Sequence, residues 1–111
     1  MSEEGSEPRI VPFDELAAEE DVPGISAAEA EVGGHRWAIV EYGPGVLREE
    51  WCPDGHCGFV LEGDISYEFE GGRAPLAIRA GQAFALPGAV VHRGRAGAAG
   101  ARLFVIDREP H

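Results

Sequence analysis

From Ile25 onward, the sequence consists of short apolar runs separated by Gly-Gly, Gly-Pro and Pro-Gly pairs. The clearest run alternates apolar and polar residues, so that Ile65, Tyr67 and Phe69 would share one face of a strand. The glycine and proline pairs are typical of turns, and no long helical pattern interrupts them. This pattern predicts an antiparallel β-sandwich or β-barrel.

Nine runs are predicted as strands, and the glycine-rich stretch 97–100 is predicted as a turn between the last two. The predicted strands are 25–32, 36–42, 47–52, 56–61, 64–70, 76–79, 82–86, 91–95 and 101–107. Ahead of them, residues 13–21 contain helix-forming side chains but lie between Pro12 and Pro23. Because proline confines a helix, this segment predicts a short helical turn or a loop and no stable helix.

The acidic residues are concentrated near the N-terminus. The 111-residue chain has 20 Asp and Glu against 9 basic residues, a net charge of −11, and residues 1–31 hold ten of the acids with one base. We therefore divide the chain into an acidic N-terminal extension, 1–24, and one β-domain, 25–111. The acidic balance argues against binding to nucleic acid or to an anionic membrane surface, since both need a basic face.

Residue types that the sequence lacks exclude several mechanisms. Without lysine there is neither a Schiff base nor a P-loop lysine, and no serine lies in a G-x-S-x-G motif. No apolar run is long enough to span a membrane and no secretory leader is visible, which predicts a soluble, cytoplasmic protein. In that compartment Cys52 and Cys57 are expected to be free thiols.

Four residues are candidate metal ligands. Glu50 and Cys52 are two positions apart, so on a strand their side chains would share a face. His56 and His92 each follow a turn and begin or lie on a predicted strand, whereas alternation turns Cys57 away from the face of His56. A carboxylate, a thiolate and two imidazoles are competent ligands for zinc and late first-row metals.

At these residues, the stretch from Gly45 to His92 resembles a single-domain cupin, a small jelly-roll β-barrel. The first motif of that family places His-x-His and then Glu ahead of a closing glycine, which is Gly63 here. Counting back from that glycine, the positions of the two histidines and the glutamate hold Glu50, Cys52 and His56. Each substituted residue is still able to bind a metal.

The second cupin motif is matched more directly. Gly81, Pro87 and His92 have its spacing, while Ala89 and Ala96 replace its last glycine and its asparagine. The resemblance implies an all-β fold, a cupin-type jelly-roll antiparallel β-barrel with a short acidic N-terminal extension. It also implies a metal site made of Glu50, Cys52, His56 and His92.

For function, the resemblance implies a small metal-binding cupin whose barrel cavity holds a divalent transition metal with a small-molecule ligand or substrate. The Cys52 thiolate favours zinc, with iron, nickel or manganese as alternatives. A dioxygenase, isomerase or lyase is compatible with the fold, which does not fix the reaction. The alternative is a non-catalytic sensor or binding barrel with a structural metal or none. Gly58 is expected to leave space in the cavity beside His56.

A homodimer is also expected, because small cupins resemble dimers built from paired barrel edges. Alternation points the apolar side chains of Phe59 and Leu61 outward, where they would need cover. A strand around Ile10 or Ile25 would add to the sheet of its own chain or of the partner.

Overall fold

A computed structural model of the protein describes residues 7–107. A 3-10 turn at Phe13–Glu15 precedes seven strands. The strands are β1 (Glu19–Val22), β2 (Ile25–Val32), β3 (His35–Tyr42), β4 (His56–Phe69), β5 (Leu76–Arg79), β6 (Ala83–Leu86) and β7 (His92–Asp107). No helix in this part of the chain is long and apolar enough to cross a membrane.

All strand pairs are antiparallel, in the order β1-β2-β3-β7-β4-β5, and β6 pairs with the first half of β4. The long strands β4 and β7 run beside each other for most of their length, with shifts in register around Leu61 and Asp64. Such shifts bend a strand and increase its twist. The predicted all-β, jelly-roll antiparallel barrel is confirmed.

Two glycines allow the long strands to bend past their neighbours. Gly63 has φ +72°, and a Cβ there would lie 2.0 Å from the carbonyl oxygen of Gly100. Gly100 itself has φ +83°, and a Cβ on it would lie 2.7 Å from the oxygen of Tyr42. Only glycine fits such a close approach at positive φ.

The predicted turn at 97–100 and the predicted break after Leu61 are therefore wrong. Residues 92–107 form one strand, and so do residues 56–69, because their glycines permit bulges and close contacts inside continuous strands.

The predicted strand 47–52 is also wrong. This segment lies in the loop 43–55 between β3 and β4 and touches β7 through two isolated bridges, Leu47 to Arg95 and Cys52 to His92. With only these two points of pairing, the loop does not extend the sheet.

Part of the acidic segment is ordered as strand β1, which the sequence did not predict. The predicted helical turn covers only Phe13–Glu15, and β1 pairs with β2 across a turn at Pro23 and Gly24. Gly24 has φ +85°, a left-handed backbone angle that glycine adopts readily. The strand of Ile25 thus belongs to the sheet of its own chain.

The core fills the inside of the barrel. Its largest fully buried apolar side chains come from β2, β4, β6 and β7: Ile25, Val60, Ile65, Leu86 and Leu103. His92 is the one buried polar residue among those described. On the outside, Trp37 and Phe13 each pack edge-on against Phe104. Phe59 and Leu61 are exposed, as alternation predicted.

Candidate functional site

A cavity of about 430 Å³ opens beside the loop 43–55. All four predicted ligands line it: Glu50, Cys52, His56 and His92. Cys57 does not line it, in agreement with strand alternation. The structure therefore brings the four predicted residues to one cavity, from the loop, from the start of β4 and from the start of β7.

His92 presents an unpaired nitrogen inside the protein. Its side chain is 2 % exposed, and Nδ1 donates a hydrogen bond to the carbonyl oxygen of Val90 at 3.0 Å. Since a carbonyl can only accept, this bond fixes the tautomer and leaves a lone pair on Nε2 of the neutral ring. Nε2 is buried and has no hydrogen-bond partner among residues 7–107.

His56 lies directly beside His92. The ring centroids are 4.8 Å apart with the planes at 87°, and the rings of Tyr67 and Phe84 each lie 6.5 Å from that of His56. Burial, reinforced by the proximity of His92, lowers the pKa of His56 to about 4. The imidazole of His56 can thus serve as a neutral donor of a lone pair at pH 7.

Cys52 lies opposite His92. The two residues exchange backbone hydrogen bonds, Cys52 N to His92 O at 2.8 Å and His92 N to Cys52 O at 3.0 Å. Residues paired in this way point their side chains to the same side. The Cys52 thiol also interacts electrostatically with Tyr42 and Tyr67, which line the same cavity.

Glu50 is the least fixed of the four, because its side chain is exposed at the cavity mouth. Within residues 7–107, no three His, Cys, Asp or Glu side chains are arranged closely enough to hold a metal ion. The preformed part of the site is therefore the pair His56 and His92, with Cys52 and Glu50 in the same cavity but not closed around a common point.

The space expected beside Gly58 is filled. A Cβ at Gly58 would lie 2.7 Å from the ring of Phe84 and 2.6 Å from the carbonyl oxygen of Phe104. Phe84 also packs against Tyr67, with ring centroids 5.2 Å apart. Gly58 thus allows a close aromatic contact under His56, and the cavity opens on the side of the loop instead.

One arginine that lines the cavity is not among the residues predicted from the sequence. Arg48 looks like part of a charged, solvated stretch, yet its guanidinium lines the cavity, interacts with the phenol of Tyr42 and lies 2.9 Å from a carboxylate oxygen of Asp21. Burial raises the pKa values of Tyr42 and Tyr67, so both phenols remain protonated. Asp21 and Arg48 lie far apart in sequence, and no spacing signals their contact.

Two further arginines line the cavity with their charges already engaged. Arg36 pairs with Glu29 and lies 3.7 Å from Asp107. Arg93 pairs with Glu68 and lies over the ring of Trp51, 4.2 Å from its centroid. The cavity thus combines apolar and aromatic side chains with imidazole, thiol, guanidinium and carboxylate groups.

Comparisons with known proteins agree with this architecture. The family model described as EutQ-like cupin domain matches residues 29–102. No curated protein matches the sequence.

Solved structures share the fold at low sequence identity. KdgF from Halomonas sp. is 20% identical with a TM-score of 0.69, covering 86% of this chain and 91% of that chain. An RmlC-like cupin from Shewanella frigidimarina NCIMB 400 is 14% identical with a TM-score of 0.73, covering 91% and 90%. Oxalate decarboxylase from Bacillus subtilis is 18% identical with a TM-score of 0.73, covering 88% of this chain but 28% of that chain. At these identities the likeness shows the fold.

Proposed function

The chain belongs to the EutQ-like cupin family, and we propose that it is a small cupin that holds a divalent transition metal in its cavity together with a small-molecule ligand. The observation that carries this proposal is the buried Nε2 of His92, which has no hydrogen-bond partner among the described residues, on a ring whose centroid lies 4.8 Å from that of His56.

An unpaired polar atom in a protein interior costs about 1–3 kcal/mol. Among the described residues, Nε2 of His92 is such an atom, while the other nitrogen, Nδ1, fixes the ring by a hydrogen bond to the carbonyl oxygen of Val90. Metal-binding histidines are oriented in this way, with one nitrogen hydrogen-bonded and the other free to coordinate. The arrangement of His92 thus fits a metal ligand.

His56 and His92 would hold the metal, and Cys52 is the third residue we assign to it. A thiolate beside two imidazoles favours zinc over harder ions, with iron, nickel or manganese as alternatives. When bound, such an ion supplies Lewis acidity toward an oxygen of the ligand.

The role of Glu50 distinguishes a reactive centre from a structural one. Four protein ligands would close a tetrahedral site, whereas three leave a position open to a small molecule. Glu50 is exposed at the mouth of the cavity. This exposure favours the open form of the site over the non-catalytic alternative with a structural metal.

Zinc titration by calorimetry tests the proposal, with His35 as a matched control. His35 is a partly buried histidine that also bonds a carbonyl through Nδ1, on Asp107, but does not line the cavity. We expect His92→Ala to lose zinc binding at a stoichiometry of one and His35→Ala to keep it. Equal binding by both variants, with unchanged melting curves, would refute the proposed site.

A further inference from the structure

Arg48 lies on the loop 43–55 and lines the cavity. Its backbone N–H donates to the carbonyl oxygen of Gly94 at 3.0 Å, which fixes the loop against β7. Its side chain is 28% exposed and interacts electrostatically with the buried phenols of Tyr42 and Tyr67. The backbone and the side chain of Arg48 are therefore both held in place, and the guanidinium lies near these two phenols.

A β-bulge brings a carboxylate to this guanidinium. In the β1–β2 pair, Glu20 lies opposite Ser26 and Val22 opposite Ile25, so the register shifts at Asp21. Bulges re-aim the side chain of the extra residue. Asp21 consequently lines the cavity, and its carboxylate lies 2.9 Å from a terminal nitrogen of Arg48.

We infer that Arg48 binds the carboxylate of a small ligand in this cavity, and that Asp21 occupies the same guanidinium until the ligand displaces it. The inference rests on the proposed function, because it takes the cavity as the ligand site. It adds the chemical class of the ligand and gives a role to one acidic residue of the N-terminal extension.

The geometry of the pair supports a carboxylate. Asp21 already demonstrates that a carboxylate reaches the guanidinium, whose planar set of N–H donors matches two carboxylate oxygens. The side chain of Asp21 is 54% exposed, so it returns to water at little cost. Exposed ion pairs of this kind contribute about 0–1 kcal/mol, which a ligand can overcome.

The other cavity arginines are less suited to this role. Arg36 is shared between Glu29 and Asp107, from β2 and β7. Arg93 is paired with Glu68 and stacked on Trp51. Arg48 differs because its carboxylate partner comes from the short strand β1, which pairs with β2 through three residue pairs.

Calorimetric titration of malonate into the zinc-loaded protein tests the inference. In a second arm, malonate is titrated into the metal-free protein after the chelator has been removed. Asp21→Asn removes the competing charge, and Glu19→Gln is the matched control on the same strand, since Glu19 is exposed and lines no part of the cavity. Arg48→Gln removes the guanidinium, and Arg102→Gln is its control, since Arg102 pairs with Glu41 and Glu62 elsewhere.

We expect Asp21→Asn to tighten malonate binding about twofold to fivefold in both arms, and Arg48→Gln to weaken it at least about tenfold. The two controls should bind malonate as the wild type does. Malonamide, which has the same carbon skeleton without charge, should not respond to Asp21→Asn.

Equal malonate affinity in Asp21→Asn and Glu19→Gln would overturn the role of Asp21, and unchanged affinity in a folded Arg48→Gln would overturn the site. Tighter binding of inorganic phosphate than of malonate in the wild type would overturn the carboxylate assignment. Loss of the zinc response with malonate binding intact would refute the proposed metal but leave this inference standing, so the two failures are distinguishable.

Discussion

Cys52 and His92 form a single antiparallel bridge between the loop 43–55 and the start of β7, closed by hydrogen bonds of 2.8 and 3.0 Å. This bridge places a thiol and a buried imidazole on the same side of the chain and within one cavity. Cys57 is also a free thiol, but it lies on the other face of β4. The protein thus contains its own matched pair of cysteines.

Substitution of the two cysteines should affect zinc differently. We expect Cys52→Ser to weaken zinc binding at least about tenfold and to shift preference toward harder ions such as manganese, because a hydroxyl replaces the soft thiolate. Cys57→Ser should bind zinc as the wild type does. Competitive metal titration of both variants measures this difference. Loss of zinc in Cys57→Ser with retention in Cys52→Ser would show that the ligand set is wrong.

The stability of the metal-free protein should fall between pH 6.5 and 4 because of His56. The pKa of His56 is about 4 in the folded state and about 6.5 in the unfolded chain, so the unfolded state binds the proton first as the pH falls. His56 therefore supports folding fully above pH 6.5, and this support is lost progressively toward pH 4, amounting to roughly 2–3 kcal/mol.

Urea unfolding at pH 7.5 and pH 4.5 measures this effect in the wild type and in His56→Gln. The carboxylates titrate in both proteins, so the difference between the two proteins isolates the contribution of His56. We expect the wild type to lose more free energy of unfolding than His56→Gln over this range. An equal loss in the two would contradict the low pKa of His56.

Much of the fold follows from local patterns in the sequence. The strands of Ile25–Val32 and Leu76–Arg79 begin and end where alternation and turn residues predict. The predicted strand breaks that the structure contradicts, after Leu61 and at 97–100, both involve glycine. Spacing alone does not tell a glycine that forms a turn from one, such as Gly63 or Gly100, that allows two continuous strands to approach.

Part of the candidate site can also be predicted from local sequence and part cannot. His56 and His92 are predicted by the spacing of the two motifs, and both line the cavity. The pair of Arg48 and Asp21 could not be found, because it depends on strand β1 and on the bulge that re-aims Asp21. Neither the acidic sequence of that strand nor its charge pattern favours β-structure.

Assembly remains a prediction, and the outer surface of β4 and β6 gives it a test. Phe59 is 40% exposed and pairs with the exposed Ala83 in register. We propose that a second copy of the chain covers this surface, since burying an exposed aromatic side chain contributes about 1–2 kcal/mol. Sedimentation should then give twice the 11.8 kDa of one chain. Phe59→Glu should yield monomers. The control Leu76→Glu, on β5, should remain a dimer. A wild-type mass near 11.8 kDa would contradict the dimer.

The bend of the barrel should depend on the absence of a side chain at Gly63 more than on its backbone angle. Gly63 and Gly72 both have positive φ, +72° and +84°, so alanine strains the backbone by about 1 kcal/mol at either position. Only at Gly63 would the new Cβ meet backbone, 2.0 Å from the carbonyl oxygen of Gly100, whereas no atom lies within 4 Å at Gly72. We therefore expect Gly63→Ala to lower the free energy of unfolding by more than about 3 kcal/mol and Gly72→Ala by about 1 kcal/mol. Urea unfolding of the two variants measures the difference, and equal losses would mean that the approach of β4 to β7 does not depend on this glycine.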